Sequence, residues 1–419
     1  MSEDKYFFEP HRLRMAKTEK LIGTSKKKDR VEVDELTSDL ISALNKEFGT
    51  RVAYNLGTEQ APTTIKRWID TGSIQLNYAI KNLINGGYPE GRIIEISGLP
   101  STGKSHLAIH AARHVQGLGG LVVYIDTENA TSLDLLKQMG INVSSRFVYC
   151  DTHCTEEVFS IVESTILKAK QIISKDVPIL IIWDSVAATS PKAELDGEYT
   201  DNSMGLQART ISKCMRKITG VIGQNNITFL CLNQLREKIG TMFGDPFTSP
   251  GGNAIPFHSS VRIRLGSGNP IKDKDGNVIG IHVTVTLKKN KVAPPHRKCE
   301  FDIIFGKGIV EGDQLFDEVR SHCDDNGAVI HEGKSIVVSG TGSWKELVVS
   351  DQKTGEIILE KKFHKSDFGD MIKNNTYSPF LMAAIDSALT IIHGQPVQEN
   401  PDEQEDDEET DEVEEVTNE

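Results

Sequence analysis

At 419 residues with 38% apolar content, the chain is long enough for two or three domains with real cores, and no apolar run reaches the ~18 residues of a membrane span. Six scattered cysteines exclude a disulfide framework, and the polar start Met1-Ser2-Glu3-Asp4-Lys5 has no apolar signal core, so reduced thiols and a cytoplasmic location are expected. The net charge of −13 belongs to one end: thirteen acidic residues and no Lys or Arg lie between Glu399 and Glu419, which leaves residues 1–398 neutral.

Residues 1–30 form a polar arm with Lys26-Lys27-Lys28, suited to solvent, a protomer or nucleic acid. Val33, Leu36, Leu40, Ile41 and Leu44 recur at helical spacing, so residues 31–48 predict an amphipathic helix that docks on something. Residues 51–67 read as loop, 78–83 as a helix and 86–91 as a turn. The apolar, β-branched run 93–97 predicts a buried strand. Gly98-Leu99-Pro100-Ser101-Thr102-Gly103-Lys104-Ser105 follows, fills G-x-x-x-x-G-K-[ST], and leads into a helix over 106–116. Strand, glycine loop and helix is the setting of a P-loop. Gly98 and Gly103 let backbone N–H groups converge on phosphate oxygens, and the helix N-terminus adds its dipole. Lys104 is placed to neutralise the β- and γ-phosphates of ATP, and Ser105 to ligate Mg²⁺.

Strands are then predicted at 121–126, 147–149, 179–184 and 228–233, and helices at 132–139, 155–174 and 206–223. Apolar strands without polar alternation, separated by helices, predict an α/β fold with a mostly parallel sheet covered on both faces. Cys150-Asp151-Thr152-His153-Cys154 has no second ligand cluster at zinc spacing, and a surface loop is expected there. The alternating runs 261–265, 281–287 and 300–304, with an Asp275-Gly276 turn, predict antiparallel strands that extend the sheet. A small α+β module with strands at 336–338, 347–349 and 357–359 and a helix at 379–392 follows. The acidic tail from 395 is expected to be disordered.

Three strand ends converge on the phosphate site in such a fold. Asp184 ends an apolar strand where an Mg²⁺ partner is needed. Glu128 follows another strand and suits a base that polarises water. Gln234 ends a third, where an amide either senses the γ-phosphate or merely caps the strand.

Asp184-Ser185-Val186-Ala187-Ala188, Pro191-Lys192-Ala193-Glu194, Met204-Gly205-Leu206, Asn233-Gln234-Leu235-Arg236, Met242-Phe243-Gly244 and Pro250-Gly251-Gly252-Asn253-Ala254 occur in order. Over residues 71–309 the chain resembles the RecA recombinase family, nearest to its members from T4-type phages. The resemblance implies a RecA-like core between an N-terminal arm (1–70) and a C-terminal module (310–394). It implies a filament-forming, DNA-dependent ATPase that pairs single-stranded DNA with homologous double-stranded DNA, served by single-strand-binding and loader proteins. It makes Glu128 the catalytic glutamate and Gln234 the γ-phosphate sensor. Residues 197–204 and 235–249 match two DNA loops, with Met204 and Ile239 as wedges between bases. Arg209, Arg216, Arg236, Lys238, Gly251 and Gly252 match backbone-holding positions. Lys289 and Lys291 match residues that reach a neighbour's ATP, and Phe257 a filament contact. Cations, an apolar wedge and close-approaching glycines suit a stretched strand in any case. Leu135 stands where relatives place an adenine-stacking aromatic, and Glu237 and Pro250 also depart from the pattern. A hexameric helicase on the same core and an ATP-switched regulator are the alternatives.

Overall fold

The computed structural model describes residues 25–56, 64–172, 174, 176–198, 205–237 and 246–394. The start of the polar arm and the acidic tail lie outside them. The described residues fall into two compact units that part between Thr64 and Ile65. The first holds α1 (Ser25–Glu47), which begins earlier than the apolar spacing predicts. Leu36 and Leu40 of its stripe are exposed. Asn45 closes the turn after it, accepting from Val52 N at 2.8 Å and Ala53 N at 2.9 Å.

The second unit opens with a short ribbon, β1 (Trp68–Ile69) and β2 (Tyr88–Pro89), flanking α2 (Ile74–Lys81). Then β3 (Ile93–Gly98), β4 (Leu121–Asp126), β5 (Phe147–Asp151), β6 (Ile179–Asp184) and β7 (Ile227–Gln234) alternate with α3 (Lys104–Gly117), α4 (Leu133–Gln138), α5 (Thr155–Ile172), α6 (Lys192–Leu195) and α7 (Leu206–Gln224). A small ribbon, β8 (Arg236–Glu237) with β9 (Phe247–Thr248), and α8 (Ala254–His258) lead to β10 (Val261–Lys272), β11 (Val278–Asn290), β12 (Lys298–Ile304) and β13 (Gly308–Val310). Nine strands make one sheet in the order β13-β12-β11-β10-β3-β7-β6-β4-β5.

Alternate residues of each strand enter opposite cores. Ile94, Ile96, Ile182 and Leu230 pack on the α3 side, while Ile93, Ile181, Trp183 and Phe229 pack on the α5 and α7 side. Two-sided burial is why these strands read as continuous apolar runs.

Two expectations change. β10 is parallel to β3, with Val261 beside Ile94 and Leu265 beside Gly98, and only β11 to β13 beyond it run antiparallel. The chain reaches β10 by a crossover through α8, which permits a parallel strand, whereas the tight turn at 273–277 forces β11 back. Cys150 lies within β5, and Cys154 is buried, held by a bridge between its backbone and Ser190. Among the described residues no group of three or more His, Cys, Asp or Glu is placed to hold a metal ion, and no helix is long and apolar enough to cross a membrane.

After β13 come α9 (Gly312–Asn326), the antiparallel strands β14 (Val329–His331), β15 (Lys334–Ser339), β16 (Lys345–Asp351) and β17 (Ile357–Phe363), and the helices α10 (Phe368–Lys373) and α11 (Ser378–Gly394). α9 was not predicted, because its acidic residues dilute the face formed by Leu315, Phe316, Val319 and Cys323. Phe316 meets Phe368 and Phe363 edge to face at 5.5 and 6.0 Å.

Glu311 ties the start of this unit to the segment that follows the sheet's last strand. Its carboxylate accepts from Ser73 Oγ at 2.6 Å, Ile74 N at 2.5 Å and Gln75 N at 3.4 Å, while Ser73 Oγ accepts from Leu76 N. The free N–H groups of the first turn of α2 are thereby satisfied from a distant strand end. Burial pushes the Glu311 carboxyl up to about 7, against these hydrogen bonds. A carboxyl raised in the fold stabilises it below the unfolded value of 4.5, and that contribution is lost as pH rises to about 7. Comparing urea unfolding of the native chain and Glu311→Gln from pH 4.5 to 7.5, the native chain is expected to lose roughly 3 kcal/mol relative to the variant. A constant difference across that range would refute the linkage.

Candidate active site

The phosphate loop grows out of the sheet. β3 ends at Gly98, where a Cβ would meet Thr102 Oγ1 at 2.5 Å and Leu265 O at 2.9 Å. Leu99, Pro100 and Ser101 turn outward, with Ser101 at φ +61, and Thr102 Oγ1 donates to Leu99 O at 2.9 Å. Gly103 caps α3 at φ +91, and a Cβ there would run into Ile303 Cδ1. Only glycine satisfies both the dihedral and the space.

Lys104 is buried, and its Nζ donates to Gly98 O at 3.1 Å and Leu99 O at 2.8 Å. Burial lowers its pKa, opposed by the Asp184 and Glu128 carboxylates. The ammonium therefore rests on loop carbonyls beside the place where phosphate oxygens would take them over.

Register brings the acids to the same edge. Asp126 pairs with Asp184, and Gly98 with Gln234. Asp184 Oδ2 accepts from Ser105 Oγ at 2.8 Å and from Tyr124 OH at 2.6 Å. Burial raises the Asp184 pKa despite those two donors. A hydroxyl and a carboxylate at this spacing are hard oxygen donors, and they fit a magnesium ion that keeps water and phosphate oxygens in its shell.

Glu128 stands exposed just past β4. Its Oε1 accepts from Gln234 Nε2 at 2.7 Å and from Ser185 Oγ. The loop around it is fixed by Thr127 Oγ1 donating to Ser185 O at 2.7 Å, and by the His153 ring against Thr127 O at 2.9 Å and Asn129 Nδ2 at 3.3 Å. The predicted base and the predicted sensor thus touch directly. Leu135 is half-buried against the core on the α3 side.

Beneath the loop lies an ion pair with a buried carboxylate and a half-buried guanidinium that the sequence reading missed. Glu95, fully buried in β3, accepts from Arg262 Nε at 2.7 Å and from Asn233 Nδ2 at 3.2 Å. Asn233 Nδ2 also donates to Pro250 O at 3.1 Å, and Leu235 N to Gly98 O at 3.0 Å. Both ends of the segment 235–250 are thereby tied to β3 and β7. Its stem is the β8–β9 ribbon, with Arg236 exposed and paired to Thr248.

The other predicted contacts sit as follows. Gly251 and Gly252 have φ of +88 and +68, and Cβ atoms there would press on Ile211 and on Ala208 of α7. Arg209 and Arg216 are exposed on α7. Met204, Lys238 and Ile239 lie outside the described residues. Lys289 Nζ donates to Pro256 O at 2.8 Å and Phe257 O at 2.9 Å, beside the exposed Phe257 ring, and Lys291 is exposed. Burial, with Arg216, Lys289 and Lys291 nearby, lowers the His258 pKa. This cationic group is not at the phosphate loop of its own chain. Val261 pairs with both Ile94 and Asn290, so Lys289 and Lys291 adjoin the first residues of β3, roughly 13 Å along the strand from Gly98.

A family model for the RecA N-terminal domain matches residues 35–310. Curated proteins similar to the chain include the protein RecA of Porphyromonas gingivalis, 39% identical over 321 residues that cover 76% of this chain and 90% of that protein. The protein RecA of Bacteroides thetaiotaomicron is 40% identical over 314 residues, or 75% and 86% of the two chains. That of Lactococcus lactis is 34% identical over 348 residues, or 82% and 83%.

Two variants separate binding from chemistry at this site. Lys104→Ala is expected to abolish ATP hydrolysis. Glu128→Gln is expected to keep ATP binding, read by equilibrium dialysis, and to lower turnover about 10²–10⁴-fold. Unchanged turnover in either would remove that residue from the reaction.

Proposed function

The chain belongs to the RecA family, and we propose from that premise that it is a DNA-dependent ATPase that polymerises on single-stranded DNA and catalyses homologous pairing and strand exchange. The observation that carries the reading is the contact between Glu128 and Gln234. It joins the base that would activate water to the strand end from which the second DNA loop departs. One oxygen of Glu128 is occupied by the Gln234 amide. A γ-phosphate that draws the amide away frees the carboxylate to take a proton from the attacking water. The same movement shifts the head of the 235–250 segment, whose far end stays tied to Asn233. Nucleotide state and DNA grip are then linked in both directions.

Lys104 would leave the Gly98 and Leu99 carbonyls for the β- and γ-phosphates of ATP. Ser105 and Asp184 would hold the magnesium ion, which when bound offsets charge on those phosphates. Lys289 and Lys291, at the opposite end of the sheet from their own phosphate loop, suit a neighbour's γ-phosphate in a head-to-tail filament. Exposed Phe257, Leu36 and Leu40 supply apolar surface for such an assembly. Arg209, Arg216 and Arg236, with Met204, Lys238 and Ile239, would hold and stretch the DNA strand, with Gly251 and Gly252 at its backbone. Homology would be read by base pairing rather than by the protein.

The domain reading is proposed likewise: an arm over 1–70, a core over 71–309 and a module over 310–394. The tail would compete with DNA for basic groups and be screened by salt. The finer attribution, to recombinases of the UvsX kind acting in phage recombination, repair and replication in host cytoplasm with single-strand-binding and loader proteins, rests on motif likeness. The relatives named above are bacterial.

ATP hydrolysis measured with and without single-stranded DNA, with electron microscopy of the same mixtures, tests the reading. DNA-stimulated turnover on helical filaments is expected. Closed rings would point to a helicase, and no response to DNA would point to a switch. The trans role has its own check. The double variant Lys289→Ala, Lys291→Ala is expected to lose about 10³-fold or more of stimulated turnover. Mixing it with Glu128→Gln should restore part of the rate, because one kind of interface then has both halves intact. Failure to recover any activity would sink the shared site.

A further inference from the structure

Strand β4 reads Leu121-Val122-Val123-Tyr124-Ile125-Asp126, and Tyr124 carries its one hydroxyl. The side chain is buried, 1% exposed, on the α3 side of the sheet. Tyr124 pairs with Ile182 and Asp126 with Asp184, so Tyr124 and Asp184 belong to the same face of neighbouring parallel strands. The ring stacks on Phe147 with centroids 6.1 Å apart. Packing alone would be served as well by phenylalanine, and a buried phenol needs a polar partner to avoid an uncompensated desolvation cost.

The partner is Asp184. Tyr124 OH donates to Oδ2 at 2.6 Å, and Ser105 Oγ donates to the same oxygen at 2.8 Å. Two donors on Oδ2 leave Oδ1 for another task. They also fix the rotation of the carboxylate, since an anion accepting from a buried phenol and a loop hydroxyl has a single orientation that satisfies both. The Ser105 proton points at Asp184, so the lone pairs of that hydroxyl remain for a cation.

We propose that Tyr124 is a positioning residue that orients Asp184 to bind the divalent cation of the nucleotide site through Oδ1. The proposal rests on the reading of Asp184 and Ser105 as the cation's protein ligands. Tyr124 would act through Asp184. Outer partners of this kind set the aim of a ligand and strengthen its grip, and their loss typically weakens metal binding 10–100-fold.

The test uses the full chain and a fluorescent ATP analogue, with affinity measured while Mg²⁺ is titrated and again in excess EDTA. Tyr124→Phe keeps the ring and removes the hydroxyl. Its half-saturating Mg²⁺ is expected to rise about tenfold or more, with affinity in EDTA unchanged. Phe147→Leu disturbs the stacking but keeps the hydroxyl, and should leave Mg²⁺ dependence as it is. Asp184→Asn is the control for the underlying reading. A shift in Asp184→Asn without one in Tyr124→Phe overturns the role of Tyr124. No shift in either overturns the reading of Asp184 itself. Equal weakening of Tyr124→Phe with and without Mg²⁺, or a Mg²⁺ shift in Phe147→Leu matching that of Tyr124→Phe, would make the ring a packing element and also overturn the proposal.

Discussion

Everything at the site depends on lateral register between parallel strands. The ladder aligns Gly98 with Gln234, Asp184 with Leu232 and Asp126 with Asp184, so β4 and β6 finish level with each other, and β3 and β7 finish level two residues further on. A slip of one residue in any pair would turn its polar end to the opposite face. The contacts of Asp184 with Tyr124 and of Glu128 with Ser185 join neighbouring strands, while those of Ser105 with Asp184 and of Gln234 with Glu128 reach across one intervening strand. No single loop builds the site; the sheet does.

The same sheet keeps two charged groups apart. Lys104, Asp184 and Glu128 share one edge, while Lys289, Lys291 and Arg216 gather near the other. Between them the buried Glu95 pairs with the half-buried Arg262, and its remaining oxygen accepts from Asn233. Pairs with a buried member contribute little net stability but are costly to break, and they reward one arrangement of their neighbours over others. Here the arrangement concerns β3, β7 and β10, the strands that carry the glycine loop, Gln234 and the approach to the lysines.

Much of this was legible in the sequence for a physical reason: the chemistry is spelled contiguously or at the ends of apolar runs. A P-loop needs two glycines, a lysine and a hydroxyl in fixed order, and its strand and helix announce themselves on either side. Asp184, Glu128 and Gln234 stand out because each interrupts or follows a buried strand. Other features depend on partners far along the chain. Glu95 was a visible charge inside an apolar run, yet only the β3–β10 pairing identifies Arg262. Tyr124 lies in an apolar strand run, and nothing local says where its hydroxyl goes. The direction of β10 depends on the route of the preceding crossover, not on its own composition. For α9, acidic residues hid a buried face that only the packed module reveals.

The central position of β3 also has a bearing on how the protein is made. Its hydrogen-bonding neighbours are β7 and β10, both well over a hundred residues downstream. The phosphate loop is therefore translated early and framed late. At ordinary elongation rates a ribosome needs on the order of ten seconds to deliver those strands, and until then an apolar strand with both edges open must be kept from pairing with other nascent chains. The order of strands that makes a nucleotide site in the finished sheet leaves its most recognisable segment waiting during synthesis for the rest of the core.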